Sequence, residues 1–338
     1  MREQVKELWG LCFPEDSEEF KDLYFSLRYK DEINSAIVEG DILVSALQRI
    51  PYPVRLMGET ISASYISGAC THPSYRSRGL MEKLLSEAHR RMYQDGVIIS
   101  TLIPAEESLI EYYSRFNYFV GFQQKEELLT GNDASVDNSQ TQLIFNLLDN
   151  SEESTEEVFH FIYQQLSKKE CAVLHTMEDI RIIMADHFLS SGEIWAGYDE
   201  KADIHTVSFA IKNQGKLFIK EIISVNDNAT GNMLNHLFRH YSVENAYYRR
   251  PCGMIRVINA PELMKLYSGS ISSDCLIEVS GDKAIEDNNG LYLLTEGTCT
   301  KITDKNGYNE IPLTKLDISQ LGKLIFNDKE PYISLMMD

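Results

Sequence analysis

SGACTHPSYRSRGLMEKLLSEAHRRMYQDGVIISTLIPAEESLIEYYSRFNY, residues 67–118, passes from an extended run through a basic, glycine-containing turn into a helix, then a second strand and a short tyrosine-bearing helix. Pro73 cannot donate to a sheet ladder, so the first strand stops near Cys70. After Gly79 the apolar residues return at helical spacing. Leu80, Leu84 and Ala88 with Met81, Leu85 and Met92 make one stripe, and Glu82, Lys83, Glu87, Arg90 and Arg91 lie off it. Asp95-Gly96 supplies the stop. Residues 97–103 are almost uninterruptedly apolar, the pattern of a strand covered on both faces, and 105–115 predicts a helix presenting Tyr112 and Tyr113.

A glycine-containing turn that leads into a helix offers unpaired backbone amides and the positive end of the helix dipole, a natural cradle for a pyrophosphate. Arg76 and Arg78 would add charge-assisted contacts. Between Arg76 and Arg91 five basic residues face two acidic ones, a local +3 in a chain whose net charge is -19. Ordinary surface pairs of these arginines with Glu82 and Glu87 are the bland alternative and are worth little.

Outward from this stretch, 3–11 and 17–28 predict helices, the second opened by Asp16-Ser17-Glu18-Glu19 as a capping carboxylate with a Glu three residues on. Strands are expected at 33–38, 42–50, 54–57 and 61–70, joined by Glu39-Gly40-Asp41 and Gly58-Glu59, with a return strand at 118–126. The polar run GNDASVDNSQ, residues 131–140, marks a boundary. Ser154-Thr155-Glu156-Glu157 reads as a second capping box. Strands at 194–197, 206–212 and 216–224 and a helix at 231–241 then repeat the strand, strand, polar loop, helix outline, with Asn226-Asp227-Asn228-Ala229-Thr230-Gly231 where the first copy has arginines. A third segment carries strands at 254–258, 276–280, 291–296 and 299–303, helices at 261–267 and 318–326, Asn289-Gly290 as a hairpin signal, and an apolar tail PYISLMMD that suggests packing.

At 338 residues the chain exceeds what one core organises, and 43% apolar residues describe a folded protein. The expected organisation is 1–129, a linker 130–150, 151–251 and 252–338, of α+β (mixed α/β) class. No run has the length or apolarity of a signal sequence or a membrane span, which predicts a soluble cytoplasmic protein. Six scattered cysteines without CxxC spacing predict reduced thiols, and no metal site is expected. The acidic charge argues against nucleic acid or an anionic membrane as partner.

The run ACTHPSYRSRGL, with Arg76-Ser77-Arg78-Gly79-Leu80-Met81, resembles the acetyl-coenzyme A motif Q/R-x-x-G-x-G/A of the GNAT acetyltransferases, Met81 standing where the motif ends in a small residue. The whole chain resembles the Eis-type members: an active N-terminal GNAT fold, a degenerate central one and a C-terminal domain like sterol carrier protein (SCP2). The resemblance implies an acetyl-CoA-dependent N-acetyltransferase that acts on a primary amine, small molecule or peptide, by direct attack. Acetyl-CoA is the cosubstrate, no metal is involved, and a homo-oligomer is compatible with it. It implies that backbone groups of Ala69 and Thr71 align the pantetheine arm and that amides of Arg76, Ser77, Arg78, Gly79 and Leu80 hold the pyrophosphate. Ser114-Arg115-Phe116-Asn117-Tyr118 places Tyr113 where the family carries its general acid, with Tyr112 and Tyr118 as rivals. The chain-terminal carboxylate at Asp338 is the implied base. The competing reading is a non-catalytic acyl-CoA or apolar-ligand binding protein that uses the tail.

Overall fold

Two residues at positive φ, Met57 at 49° and Gly58 at 85°, close the longest hairpin of the computed structural model, which describes residues 1–136 and 142–337. Both central positions in the left-handed region is the mirror-type turn that matches the twist of paired strands. Before it come α1 (Arg2–Cys12), α2 (Glu18–Leu23), a π-helical turn Tyr24–Arg28, and β1 (Asn34–Glu39). Ser17, rather than Asp16, caps α2, accepting from Phe20 N at 3.1 Å; Asp16 accepts from Trp9 Nε1 at 2.6 Å. β2 (Ile42–Leu56) runs through Pro51 and Pro53, so the two strands expected at 42–50 and 54–57 are one. Alternate residues direct their N–H to the same side, and two prolines spaced by two therefore weaken one side of the strand only. On the other side β3 (Glu59–Thr71) stays in register, with Pro51 opposite Ser64 and Pro53 opposite Ser62. α3 (Leu80–Gln94), β4 (Ile99–Leu102), α4 (Ser108–Ser114) and β5 (Phe119–Phe122) follow.

The return strand expected at 118–126 is divided. β5 ends at Phe122, and β6 (Lys125–Thr130) pairs with a different sheet. The compact unit boundary accordingly falls at 122/123, ahead of the polar run expected to mark it, whose residues 137–140 lie outside the described residues. β7 (Ile144–Leu148), α5 (Glu152–Leu166), β8 (Cys171–Val173), α6 (Met177–Leu189), β9 (Glu193–Tyr198), β10 (Ile204–Asn213), β11 (Lys216–Ser224), α7 (Asp227–Tyr241) and β12 (Asn245–Arg250) build this second unit. Its sheet has the order β6-β12-β11-β10-β9-β7. Ser151, not Ser154, caps α5 by accepting from Ser154 N at 3.2 Å. The expected ββα outline is present as β10, β11 and α7. The tail is packed here too: Tyr332 N donates to Cys171 O at 3.0 Å, Val173 N donates to Tyr332 O at 2.9 Å, and Ile333 is buried.

The rest of the third segment belongs with the N-terminus. β13 (Gly253–Val257) lies antiparallel between β4 and β5, giving the order β1-β2-β3-β4-β13-β5. Then come α8 (Ala260–Ser268), β14 (Cys275–Ser280), β15 (Gly290–Thr295), β16 (Thr298–Ile302), β17 (Leu313–Asp317) and α9 (Ile318–Phe326), the strands forming a small sheet β16-β15-β14-β17. Residues 1–122 with 253–331 thus form one unit, and 123–252 with 332–337 the other. The hairpin after β15 turns at Glu296-Gly297; Asn289 instead pins a loop, its side chain bonded to Asp282 N at 3.0 Å and Asp282 O at 2.9 Å. α9 packs closely on β5, where a Cβ at Gly322 would come within 2.3 Å of the Phe119 ring.

One polar cluster lies inside the first unit. Arg256 on β13 meets Asp282 through Nη2–Oδ1 at 2.8 Å and Nη1–Oδ2 at 3.3 Å, and neither side chain is more than 1% exposed. Removing one member of such a pair strands the other charge in the core. Asp282→Asn is expected to destabilise the protein by roughly 3–5 kcal/mol, read as a lower urea midpoint for the first unit; an unchanged midpoint would contradict a holding role for the pair.

Candidate active site

β3 and β4 are parallel neighbours only over Ala63–Ile99, Ser64–Ser100 and Tyr65–Thr101. Beyond Tyr65, β3 continues for six residues, 66–71, without β4 beside it, and the sheet opens there. The divergence is helped by a bulge: the pairing slips between Ala46–Cys70 and Gln48–Ser67, and Gly68 sits at φ 58°. A Cβ at Gly68 would lie 2.2 Å from the Trp9 ring, so both the backbone and the packing of α1 demand glycine.

A cavity of about 490 Å³ fills this opening, lined by Ala69, Cys70 and Thr71 of β3, the turn and start of α3, the end of α1, and Tyr112 and Tyr113 of α4. It gathers six of the seven residues expected at the cofactor: Ala69, Thr71, Arg76, Ser77, Gly79 and Leu80. Arg78 is not in the lining. Its guanidinium lies 4.6 Å from the Tyr75 ring centroid, donates to Ser74 O at 3.2 Å and reaches Glu39 at 3.8 Å. Ser77 (φ 64°) and Gly79 (φ 72°) are both left-handed, which turns the chain sharply into α3. Gly79 is the N-cap and has no side chain to give. The first intrahelical donor is Lys83 N, to Gly79 O at 3.1 Å, so the amides of Leu80, Met81 and Glu82 have no acceptor within the helix.

Thr71 O is already engaged. Arg76 Nε donates to it at 3.2 Å and Cys12 Sγ at 3.4 Å, and two donors fill a carbonyl's two lone pairs. Arg76 is therefore parked across the mouth of the cradle, while Arg115, its guanidinium 5.0 Å from the Tyr112 ring centroid, contributes a second cation to the lining.

The three tyrosines separate by environment. Tyr118 is 1% exposed, its hydroxyl bonded to Ser100 Oγ at 2.7 Å and His89 Nε2 at 3.2 Å; it belongs to the core. Tyr112 is half-buried and packs on Arg115 and Phe116. Tyr113 is 8% exposed and lines the cavity, and no described residue hydrogen-bonds its hydroxyl. Burial pushes its phenol up to about 12, so it keeps its proton throughout the neutral range. Asp338 lies outside the described residues.

Sequence reasoning missed Cys12, Phe13 and Arg115 in this lining. Nothing local marks the first two, which reach the site only because α1 packs on β3. Arg115 sits inside the motif that pointed to Tyr113, and a cation beside a candidate anion site was the available signal. Among the described residues no group of three or more His, Cys, Asp or Glu could hold a metal ion, and no helix is long and apolar enough to cross a membrane.

Residues 2–121 match the model of an acetyltransferase (GNAT) domain, a span that stops one residue short of the end of β5. No curated protein matches the chain. Solved structures resemble nearly all of it. A conserved protein of Enterococcus faecalis described as a probable N-acyltransferase superposes with TM-score 0.78 at 15% identity, over 96% of this chain and 87% of that one. A GCN5-related N-acetyltransferase from Anabaena variabilis gives 0.77 at 13%, over 96% and 87%, and Eis1 from Mycobacterium abscessus 0.73 at 12%, over 96% and 86%. At these identities the likeness is one of fold. Residues 2–121 are thus of acetyltransferase (GNAT) type.

Because the Tyr113 hydroxyl has no partner and that of Tyr118 has two, the corresponding phenylalanines should part company. Tyr113→Phe is expected to leave stability within about 0.5 kcal/mol of wild type, and Tyr118→Phe to cost about 1–3 kcal/mol. Chemical denaturation of both checks this; equal losses would refute the assignment.

Proposed function

We propose that this protein is an acetyl-CoA-dependent N-acetyltransferase that acetylates a primary amine by direct attack, with no covalent enzyme intermediate. The observation that carries it is one cavity in which uncapped amides at the start of α3, Arg76 and the unpartnered hydroxyl of Tyr113 converge. The residues suit the cosubstrate. The amides from Ser77 to Leu80, with Arg76 and Arg78 adding charge, would hold its phosphates at the positive end of α3. The opened edge of β3 at Ala69 and Thr71 would align its extended arm. When bound, acetyl-CoA supplies an activated thioester carbonyl. For the Thr71 carbonyl to take part, Arg76 or Cys12 must release it, and Arg76 has reason to do so once a phosphate offers it a stronger acceptor.

Tyr113 is the proposed general acid. Its raised pKa keeps the phenol neutral until a strong base appears, and a thiolate forming in the same desolvated cavity is made more basic by that desolvation. A carboxylate at Asp338 is the proposed base that takes the ammonium proton before attack. The central ββα copy is proposed to hold no cosubstrate: Asn226 caps α7, its Oδ1 accepting from Ala229 N at 2.9 Å, where Gly79 leaves α3 open. The sterol-carrier likeness of 252–338 and a homo-oligomeric assembly remain part of the proposed family picture.

Acetyl-CoA is expected to raise the melting temperature, and Arg76→Ala combined with Arg78→Ala to abolish the rise. Tyr113→Phe should still bind while thiol release in the presence of a panel of primary amines falls by about 10²–10⁴. Deleting Asp338 should lower the rate in the same assay. Absence of any acetyl-CoA binding by the wild type would overturn the proposal, and binding without acetylation of any amine would favour the non-catalytic acyl-CoA sensor.

A further inference from the structure

Two thiols meet in the wall of the cavity. Cys12, the last residue of α1, is half-buried, and Cys70, near the end of β3, is buried; both line the space that Arg76 guards. Cys70 immediately precedes Thr71 in β3, so the two thiols share one patch of the wall, near enough to shift one another's protonation, and Arg76 acts on the same Cys12 sulfur. Cys12 Sγ lies 3.4 Å from Thr71 O, the same carbonyl that holds Arg76. An accessible thiol beside a guanidinium, with a second thiol in the same wall and shielded from solvent, is the arrangement of an attacking and a resolving cysteine.

We propose that Cys12 and Cys70 form a peroxide-sensitive dithiol, and that its oxidation to a disulfide closes the cavity to acyl-CoA. The proposal rests on the cosubstrate reading above for its effect, though not for its chemistry.

The neighbouring Cys70 thiol and then Arg76 lower the Cys12 thiol to about 7, which leaves a large thiolate fraction at neutral pH. Cys70 is held well above the ordinary thiol value, by the neighbouring Cys12 and by burial, so the two do not exchange roles. The Cys12 thiolate attacks one oxygen of hydrogen peroxide. The O–O bond breaks, the departing hydroxide takes a proton to become water, and Cys12 is left as a sulfenic acid. The Cys70 sulfur then attacks the Cys12 sulfur as its S–O bond breaks, and the Cys70 proton leaves with that oxygen as a second water. Two thiols are oxidised by two electrons and one peroxide is reduced to two waters.

A covalent S–S bond is shorter than any thiol–thiol contact. Forming it draws the end of α1, with Cys12 and Phe13, onto β3 at Ala69–Thr71, the strip along which the arm of the cosubstrate is proposed to lie. It also removes the thiol that shares Thr71 O with Arg76. By reciprocity, an occupant of the cavity protects the dithiol.

Full-length protein treated with hydrogen peroxide is expected to lose two hydrogens in intact mass and to give a linked peptide pair containing Cys12 and Cys70. Calorimetric affinity for acetyl-CoA should weaken by roughly tenfold or more, and dithiothreitol should reverse both changes. Cys12→Ser should show the same affinity before and after peroxide, and prior saturation with acetyl-CoA should slow linkage in the wild type. Oxidation confined to Cys171, Cys252, Cys275 or Cys299, Cys12 carried to sulfinic acid without linkage, or a linked protein that binds as tightly as the reduced one would each overturn the proposal. A reduced protein with no affinity for acetyl-CoA is a failure of the cosubstrate reading, and with it of the gating; the linked peptide reads the dithiol chemistry separately.

Discussion

A single buried charge pair, Arg256 with Asp282, fixes the frame on which the candidate site stands. Taking two charges out of water is costly unless the remaining hydrogen-bonding positions find partners, and here most of them do, Arg256 Nη1 also donating to Val257 O at 2.8 Å. Asp282 accepts from both Arg256 nitrogens, from Asn288 Nδ2 at 2.9 Å, and from the amides of Ala284 and Ile285 at 3.1 and 3.0 Å. Arg256 also donates from Nε to His89 Nδ1 at 3.2 Å. That bond settles the tautomer: with Nδ1 accepting, the proton is on Nε2 and is given to Tyr118 Oη, which in turn donates to Ser100 Oγ. Burial first, and then Arg256, hold His89 well below its ordinary pKa, so the chain of bonds keeps this polarity across the neutral range.

The consequence reaches the chemistry through geometry. His89 lies on α3, Ser100 on β4 and Tyr118 just before β5, so one network ties the helix whose open end is the proposed phosphate cradle to the strand from which β3 diverges. It also consumes the hydroxyl of Tyr118. Of the three tyrosines clustered at this point, with ring centroids 5.3 Å apart for Tyr112–Tyr113 and 5.9 Å for Tyr113–Tyr118, the one buried among apolar neighbours with its hydroxyl left over is Tyr113. The core satisfies one phenol from within and leaves its neighbour's hydroxyl without a partner among the described residues, beside the cavity.

Local chemistry was legible in the sequence wherever the cause was local. The hairpin between β2 and β3, expected at Gly58-Glu59 and found one residue earlier, the stripe of α3 with its Asp95-Gly96 stop, the ββα repeat and the limits of α9 all follow from residues that touch their sequence neighbours. Caps slipped by a few residues, as at Ser17, Ser151 and Asn226, because several Ser, Asp and Asn side chains compete for the same amides and packing picks among them. What was not legible depends on distant partners. Nothing in Gly253–Val257 says that it will lie between β4 and β5, and nothing in the return strand says that it will divide at Gln123. The site divides the same way: Arg76, Gly79 and Tyr113 announce themselves by motif, whereas Cys12 and Phe13 arrive by the packing of Trp9 against Gly68.

The two ββα copies show how little separates a binding site from a closed helix end. In both, a strand ends, a polar loop turns, and a fifteen-residue helix begins. In α7 the Asn226 side chain spends itself on Ala229 N, so one amide of the first turn is satisfied by the cap. In α3 the N-cap is a glycine at φ 72°, with open space where a Cβ would stand. An N-cap side chain is worth about 1 kcal/mol to a helix, so its absence from α3 is a stability forgone at the point where the strands part and the cavity opens. Left-handed backbone at Ser77 adds to that cost, since a residue with a Cβ gains nothing structurally from such a conformation. Arg76 bridges the gap in the meantime by bonding Thr71 O, a placement that holds the turn in shape and keeps a guanidinium beside the open amides. The same atoms that lower the stability of the turn are those that an anion would complete.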